Sequence, residues 1–138
     1  MYTLYSNTLP QTALPSATVQ TGDTNGATID TALAGNNFRD VLFAITAGTL
    51  TDGSYAFAVQ ESDTTTDADF AAVDSARVLG SLPTFDSASD DNALKAFGVR
   101  PTKRYVRLVC TATGATTGGV LVATAILGGG SLHPVARS

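Results

Sequence analysis

The chain has 138 residues, of which 43% are hydrophobic and only 14% are charged, and its formal net charge is −4. An acidic chain lacks the basic surplus that general nucleic-acid binding requires, and one Cys with one His can form neither a disulfide framework nor a Cys/His zinc site. No apolar run reaches the roughly 18–20 residues of a membrane span, and the N-terminus lacks the basic and apolar regions of a secretory signal, so we expect one soluble, non-secreted domain.

Residues 1–16 predict an extended N-terminal arm. Pro10 and Pro15 lack a backbone donor and favour extended geometry in the residues before them. The segment is apolar for a solvated tail, because it carries Tyr2, Leu4, Tyr5, Leu9 and Leu14. We expect it either to pack against a neighbouring subunit or to form a frayed terminus.

Residues 17–128 predict an all-β domain, either an antiparallel β-sandwich or a jelly-roll-like barrel. Thr suits half-exposed strands, while Gly, Asn and Asp suit the turns between them. Short strands are expected at 17–21 and 27–30, on either side of a turn at 22–26.

The clearest strand pattern lies at 38–47, and a second strand is expected at 54–61. Three residues share the apolar face of each strand: Val41, Phe43 and Ile45 in the first, and Tyr55, Phe57 and Val59 in the second. The Asp52-Gly53 step between them is typical of a β-hairpin. We therefore expect the two apolar faces to meet across paired strands.

Residues 62–93 predict a long acidic connection. One helical turn is expected at 67–73 with Asp67 as its N-cap, and a short edge strand is expected at Val78 and Leu79. A connection of this length inside a compact domain is often an interaction element.

The last third of the domain predicts two more strands. At 104–113, Val106, Leu108 and Cys110 share one face. The strand at 120–127 is apolar on both faces, so one face is expected to lie in the sandwich and the other at a subunit contact. Residues 129–138 predict a flexible C-terminal tail.

No residue pattern predicts catalysis, a metal site or a cofactor. His133 is the only imidazole base, and it lies in the tail, where it cannot hold a fixed geometry. Cys110 lies among core-facing residues, where a thiol behaves as a small hydrophobe. Asp63, Asp67 and Asp69 are candidate oxygen ligands, but their spacing lacks the glycine and the closing Glu of a calcium loop. We therefore predict that the protein is not an enzyme.

The charges are separated along the chain. Eight of the twelve acidic residues lie between 61 and 91, and five of the eight basic residues lie between 95 and 107. The five basic residues are Lys95, Arg100, Lys103, Arg104 and Arg107. Two interpretations stay open: pairing within the chain, or a self-complementary interface in which the acidic connection of one subunit meets the basic segment of the next.

Two segments resemble small structural proteins from the head gene clusters of tailed bacteriophages. They are ITAGTLTDG continuing as SYAFAVQESD, and DDNALKAFGVRPTKRYVRLVCTATGATTGGVLVATAILG at 90–128. The similarity is to head decoration (cement) proteins, covers residues 38–128 and includes no catalytic signature. It implies a β-rich virion protein on the outer capsid surface, made in the bacterial host cytoplasm, that contacts the major capsid protein and its own copies.

The expected function is therefore a capsid decoration protein that stabilises the head as a homo-oligomer, with a trimer preferred over a dimer. Its interface is expected to include Tyr2, Leu4, Tyr5, Leu9 and the five basic residues between 95 and 107. We expect no nucleic acid, membrane or cofactor among its ligands. The alternatives are a phage tail or fibre component and a carbohydrate-binding β-sandwich module, although the chain has no Trp and only four Tyr with which to stack on sugars.

Overall fold

Two antiparallel sheets pack face to face and form a β-sandwich, as the strand patterns predict. A computed structural model describes residues 3–19 and 22–131. The strands in chain order are β1 (Leu9–Val19), β2 (Gly22–Asn25), β3 (Ile29–Asp30), β4 (Asp40–Leu50), β5 (Ser54–Ser62), β6 (Ala71–Ala72), β7 (Val78–Leu79), β8 (Thr84–Asp86), β9 (Leu94–Val99), β10 (Tyr105–Thr113) and β11 (Gly119–Gly128). One short helix, α1 (Leu4–Asn7), precedes them, and single 3₁₀ turns lie at Leu33–Gly35, Asp67–Asp69 and Ser75–Arg77.

The first sheet has the strand order β1-β11-β4-β9-β7, and the second contains β2-β10-β5-β6, with β3 on β10 and β8 on β5. All pairings are antiparallel. The long central strands are β4 and β11 in the first sheet and β5 and β10 in the second. These four strands set the positions of the remaining elements.

The apolar faces predicted from the sequence form the core between the sheets. The side chains of Val41, Phe43 and Ile45, of Tyr55, Phe57 and Val59, and of Val106, Leu108 and Cys110 are all buried. Phe43 stacks on Phe97 with ring centroids 5.4 Å apart, and Phe57 meets Phe85 edge to face at 5.8 Å. Alternation with a period of two therefore identifies the inward residues correctly.

The predicted hairpin at Asp52-Gly53 is wrong, because β4 and β5 belong to different sheets. Both edges of β4 are already paired, one with β11 and the other with β9. The chain must therefore cross to the second sheet, where β5 pairs with β10. The two apolar faces do meet, but across the core of the sandwich instead of side by side.

A second crossing lies against the first. Residues 114–118 carry the chain from β10 back to β11, and the amide of Thr51 donates to the carbonyl oxygen of Gly118 at 3.0 Å. The Asp52 carboxylate accepts from the amides of Thr116, Thr117 and Gly118 at 3.0, 3.1 and 2.8 Å. It also accepts from the Thr116 hydroxyl at 2.8 Å. One side chain thus joins both crossings, and these donors, led by the Gly118 amide, hold the pKa of the Asp52 carboxyl far below its usual range.

We expect Asp52→Asn to destabilise the fold at neutral pH, because an amide accepts these donors less strongly than a carboxylate does. A carboxyl whose pKa is lower in the folded state stabilises the fold above its unfolded value of 3.8 and loses that contribution as the pH falls through the folded value. The difference in urea midpoint between wild type and variant should therefore shrink below about pH 3.8. Asp63→Asn, at an exposed position in the acidic connection, is the control. A difference that persists unchanged in acid would contradict this role of Asp52.

Part of the predicted arm is a strand of this same sandwich. Leu9–Val19 pairs antiparallel with β11, and the side chains of Leu9 and Leu14 are buried in the core. β1 is an edge strand, where prolines are tolerated, and Pro15 lies in the register shift between Leu14 and Ala17. The prolines indicate extended backbone correctly, but they do not indicate its pairing partner. Tyr2 and residues 132–138, in the predicted tail, lie outside the described residues.

Three local predictions also change. The predicted turn at 22–26 contains strand β2, which pairs with β10, and the strand predicted at 27–30 is reduced to Ile29–Asp30. Gly26 directly follows β2, and only glycine fits at this position, because a Cβ would clash with the carbonyl oxygen of Ala13. The helical turn predicted at 67–73 is a 3₁₀ turn over Asp67–Asp69 with Thr66 at the N-cap position, while Asp67 bonds to other elements.

Candidate functional site

The outer face of the first sheet carries no charged side chain over its central rows. Its outward residues are Leu42, Ala44 and Thr46 on β4, Leu94, Ala96 and Gly98 on β9, and Val122, Thr124 and Ile126 on β11. Leu79 on β7 lies beside Gly98 and extends the same face. We call these ten residues the uncharged face.

Several large aliphatic side chains on the uncharged face are open to solvent. Leu94 is 66% exposed, Leu79 is 45% exposed and Leu42 is 42% exposed. Single exposed leucines are common on soluble proteins, but a contiguous apolar patch usually marks a contact site. The second face of β11, which the sequence predicts to need cover, is part of this patch.

A groove of about 480 Å³ runs along one end of the uncharged face. Its lining includes Leu42, Gly98 and Ile126, together with Leu79, whose side chain packs against Gly98. Leu4 of α1 also lines it, and Leu4 is 81% exposed. The groove is therefore an apolar depression open to solvent.

One ion pair bounds the uncharged face at its groove end. Arg100 follows β9, and its Nε lies 3.2 Å from Oδ1 of Asp40, the first residue of β4. Both side chains are well exposed, so the pair contributes little to stability. Its position marks the edge of the patch.

On the opposite outer face of the sandwich, the chain's own acidic connection covers the region around Arg107. Arg107 projects from β10, and its guanidinium lies 4.1 Å from the ring centroid of Phe70. It donates to Oε1 of Gln60 at 2.9 Å and forms an ion pair with Asp67. The Arg107 side chain is only 10% exposed as a result. The first sheet has no comparable cover among the described residues.

The basic segment is largely paired within the chain. The pairs are Lys95 with Asp90 at 3.3 Å, Arg100 with Asp40 at 3.2 Å, Arg104 with Asp30 at 2.9 Å, and Arg107 with Asp67. Of the five predicted interface bases, Lys103 alone forms no ion pair with a described residue. Pairing within the chain thus accounts for four of the five, and their role in a subunit interface stays a prediction.

The predicted interface residues of the N-terminal segment separate into two groups. Leu9 faces the core of its own chain and is corrected to a core residue, because it is only 5% exposed and pairs with Leu127. Leu4 and Tyr5, on α1, are both exposed, and Leu4 lines the groove at the end of the uncharged face.

A buried carboxylate that the sequence reasoning missed joins three parts of the chain. Glu61 ends the inward series of β5 and accepts two hydrogen bonds from the Arg77 guanidinium, at 2.7 and 3.2 Å. It also accepts from the amides of Thr102 and Lys103 at 2.9 and 3.3 Å. The signal was present in the sequence, because Glu61 continues the spacing of Tyr55, Phe57 and Val59 and is therefore directed inward.

Cys110, Asp67 and Asp69 have structural roles, while Asp63 is exposed. Cys110 is buried in the core, and Asp69 accepts from the Thr64 hydroxyl at 2.6 Å. Within residues 3–19 and 22–131, no three His, Cys, Asp or Glu side chains form a group that could hold a metal. His133 lies outside the described residues.

No helix in the described part of the chain is both long enough and apolar enough to cross a lipid bilayer. Comparison with protein-family models and with curated proteins finds no match for this chain. The uncharged face is therefore the feature from which a function must be argued.

Proposed function

We propose that this protein is a structural component of a virion, a capsid decoration protein that binds the lattice of the major capsid protein and stabilises the head. The observation that carries the proposal is the uncharged face. A rigid sheet that presents leucine, valine, threonine and glycine without charge is suited to protein contact, because no ion must be desolvated when it is covered.

The rest of the molecule supports a structural role. The acidic connection is tied to the body of the domain by three ion pairs, Glu61 with Arg77, Asp67 with Arg107, and Asp90 with Lys95. A part that stabilises an assembly by contact benefits from a preorganised surface, since little conformational entropy is then lost on binding.

Sedimentation with empty expanded capsids of the parent phage tests this proposal. Wild type is expected to pellet with capsids up to a saturating ratio. Leu42→Glu, on the uncharged face, is expected to bind at least about tenfold more weakly, because a carboxylate would be desolvated in an apolar contact. Leu82→Glu, at a leucine of similar exposure on the acidic connection, is the matched control and should bind like wild type.

A wild-type chain that never sediments with capsids would contradict the proposal. Association with purified tails instead of heads would assign the protein to the tail. Equal binding by Leu42→Glu and Leu82→Glu would show that the uncharged face is not part of the capsid contact.

A further inference from the structure

We propose that Asn25 is a deamidation site that the folded chain keeps closed, and that it reacts only when the end of β2 detaches from the sandwich. Deamidation then prevents the detached segment from returning to its place. The inference goes beyond the proposed function, because it concerns the covalent stability of the chain by itself. No residue of the uncharged face takes part in it.

The sequence places a reactive pair at the end of β2. The chain has five Asn, and Asn25 is the only one that is followed by Gly. Glycine has no side chain to hinder attack by its amide nitrogen, so Asn before Gly deamidates more readily than Asn before other residues. A Cβ on Gly26 would clash with the carbonyl oxygen of Ala13. The fold therefore requires the glycine that makes Asn25 reactive.

The reaction needs no reagent other than water and hydroxide. Hydroxide removes the proton of the Gly26 amide, and the nitrogen attacks Cγ of Asn25. The Cγ–Nδ2 bond breaks, the leaving nitrogen takes up a proton from water and departs as ammonia, and a five-membered succinimide remains. Water then opens the ring at either carbonyl carbon and gives aspartate or isoaspartate. The Asn25 side chain is exposed, so water has access to it.

Three contacts of the folded chain oppose this attack. Asn25 pairs in register with Val109 on β10, and its extended backbone must rotate far about the Cα–C bond before the ring can close. The Gly26 amide donates to the carbonyl oxygen of Leu108 at 2.7 Å, and this bond holds the proton that must be removed. The Asn25 side chain is held too, because its Nδ2 donates to Oδ1 of Asp67 at 3.3 Å.

The next residue is tied to the other sheet. The amide of Ala27 donates to the carbonyl oxygen of Ala13, on β1, at 2.8 Å. Residues 25–27 therefore bridge β10 of the second sheet and the edge strand β1 of the first. Ring closure at Asn25 requires this segment to be released, so the reaction rate is set by the fraction of molecules in which the segment is open.

The products do not fit the closed position. An aspartate at position 25 would place a second carboxylate beside that of Asp67, in place of the amide that donates to it, and like charges repel. An isoaspartate would run the main chain through Cγ and shift Gly26, which has no spare room against Ala13. Both products therefore favour the detached segment.

Peptide mapping by mass spectrometry during incubation at mildly alkaline pH tests the closure. Thr113→Asn supplies a control within the same molecule, because it creates a second Asn-Gly pair at an exposed position, before Gly114, where a Cβ would meet open space. In the folded chain, Asn25 is expected to deamidate at least about tenfold more slowly than the control position. In urea above the unfolding midpoint, the two positions should react at similar rates.

Amide hydrogen exchange at Gly26 gives an independent measurement of the same opening. Exchange and deamidation both require the Gly26 amide to be released from Leu108. The factor by which folding slows exchange at Gly26 should therefore match the factor by which it slows deamidation at Asn25, to within about threefold.

Two variants test whether the product can return to the closed position. Asn25→Asp represents one product, and Asn25→Ala is its uncharged control. Both lose the hydrogen bond to Asp67, but only Asn25→Asp adds a charge beside it. Asn25→Asp is therefore expected to have the lower urea midpoint and the faster exchange in β2, and high salt should reduce the difference between the variants.

Equal deamidation of Asn25 and the control position in the folded chain would overturn the closure, as would exchange protection at Gly26 without matching protection of Asn25. Equal urea midpoints for Asn25→Asp and Asn25→Ala would overturn the claim that the charged product is kept out. No capsid is present in these experiments, so their outcome is independent of the decoration role.

Discussion

Phe43→Ala is expected to lower the free energy of unfolding by about 3–5 kcal/mol. The Phe43 side chain is fully buried, and its ring stacks on that of Phe97 at 5.4 Å. Its strand pairs on both sides, with Ala125 and Phe97 as the neighbours in register. Paired strands cannot move inward freely, so most of the removed volume would remain as a cavity. Urea unfolding followed by circular dichroism measures the loss.

Leu42→Ala is the matched control at the adjacent position. Leu42 lies on the uncharged face and is 42% exposed, so its truncation should change the free energy of unfolding by about 0.5 kcal/mol or less. The measurement belongs at low protein concentration, where any self-association adds no stability. Similar losses for the two variants would contradict the assignment of inward and outward faces on β4.

The sequence predicts the inward and outward faces of the long strands but not which strands pair. Alternation depends only on the side-chain period of a strand, so Val41, Phe43 and Ile45 are identified without knowledge of neighbours. Pairing depends on which edges are free. Asp52-Gly53 has the composition of a hairpin turn, but the chain crosses to the other sheet at this point. It does so because β4 is already paired with β9 and β11, which lie much later in the sequence.

Part of the candidate site could also be predicted from the alternation of side chains along a strand. The two apolar faces of β11 indicate a need for external cover, and the structure adds the register that aligns Leu94, Thr46 and Val122 in one row. The groove was not predictable, because it depends on Leu79 packing beside Gly98 across a pairing of β7 with β9. The charge separation was visible in the sequence, but its intrachain partners were not.

Glu61→Ala is expected to lower the free energy of unfolding by about 2–4 kcal/mol, because removal of one partner of a buried pair leaves the other groups unsatisfied. The Glu61 side chain is 5% exposed, while that of Arg77 is 27% exposed and can regain some water. The amides of Thr102 and Lys103 would lose their acceptor. Asp63→Ala, an exposed acidic position two residues away, is the control and should have little effect.

Glu61→Gln isolates the charge and gives the pH dependence. Burial raises the pKa of the Glu61 carboxyl, but the Arg77 guanidinium and the two amides outweigh burial and hold the pKa below its ordinary value of 4.5. Ionised Glu61 therefore stabilises the fold above about pH 4.5, and the contribution is lost as the pH falls through the lower folded value. The stability difference between wild type and Glu61→Gln should be largest at neutral pH and should decline in acid.

The location of the loss separates a local role of Glu61 from a general effect on the fold. Glu61, on β5, bonds to Arg77, the residue before β7, and to the turn that precedes β10. Arg77 is also held by its backbone, because its carbonyl oxygen accepts from the amide of Arg100 at 3.0 Å. Release of this junction should speed amide hydrogen exchange first in β7 and in residues 100–104, while the central strands stay protected. Leu79, which lines the groove, belongs to β7, so Glu61→Ala should also weaken capsid binding through the uncharged face although Glu61 lies outside it. Unchanged exchange in β7 together with wild-type capsid binding would show that the junction supports stability alone.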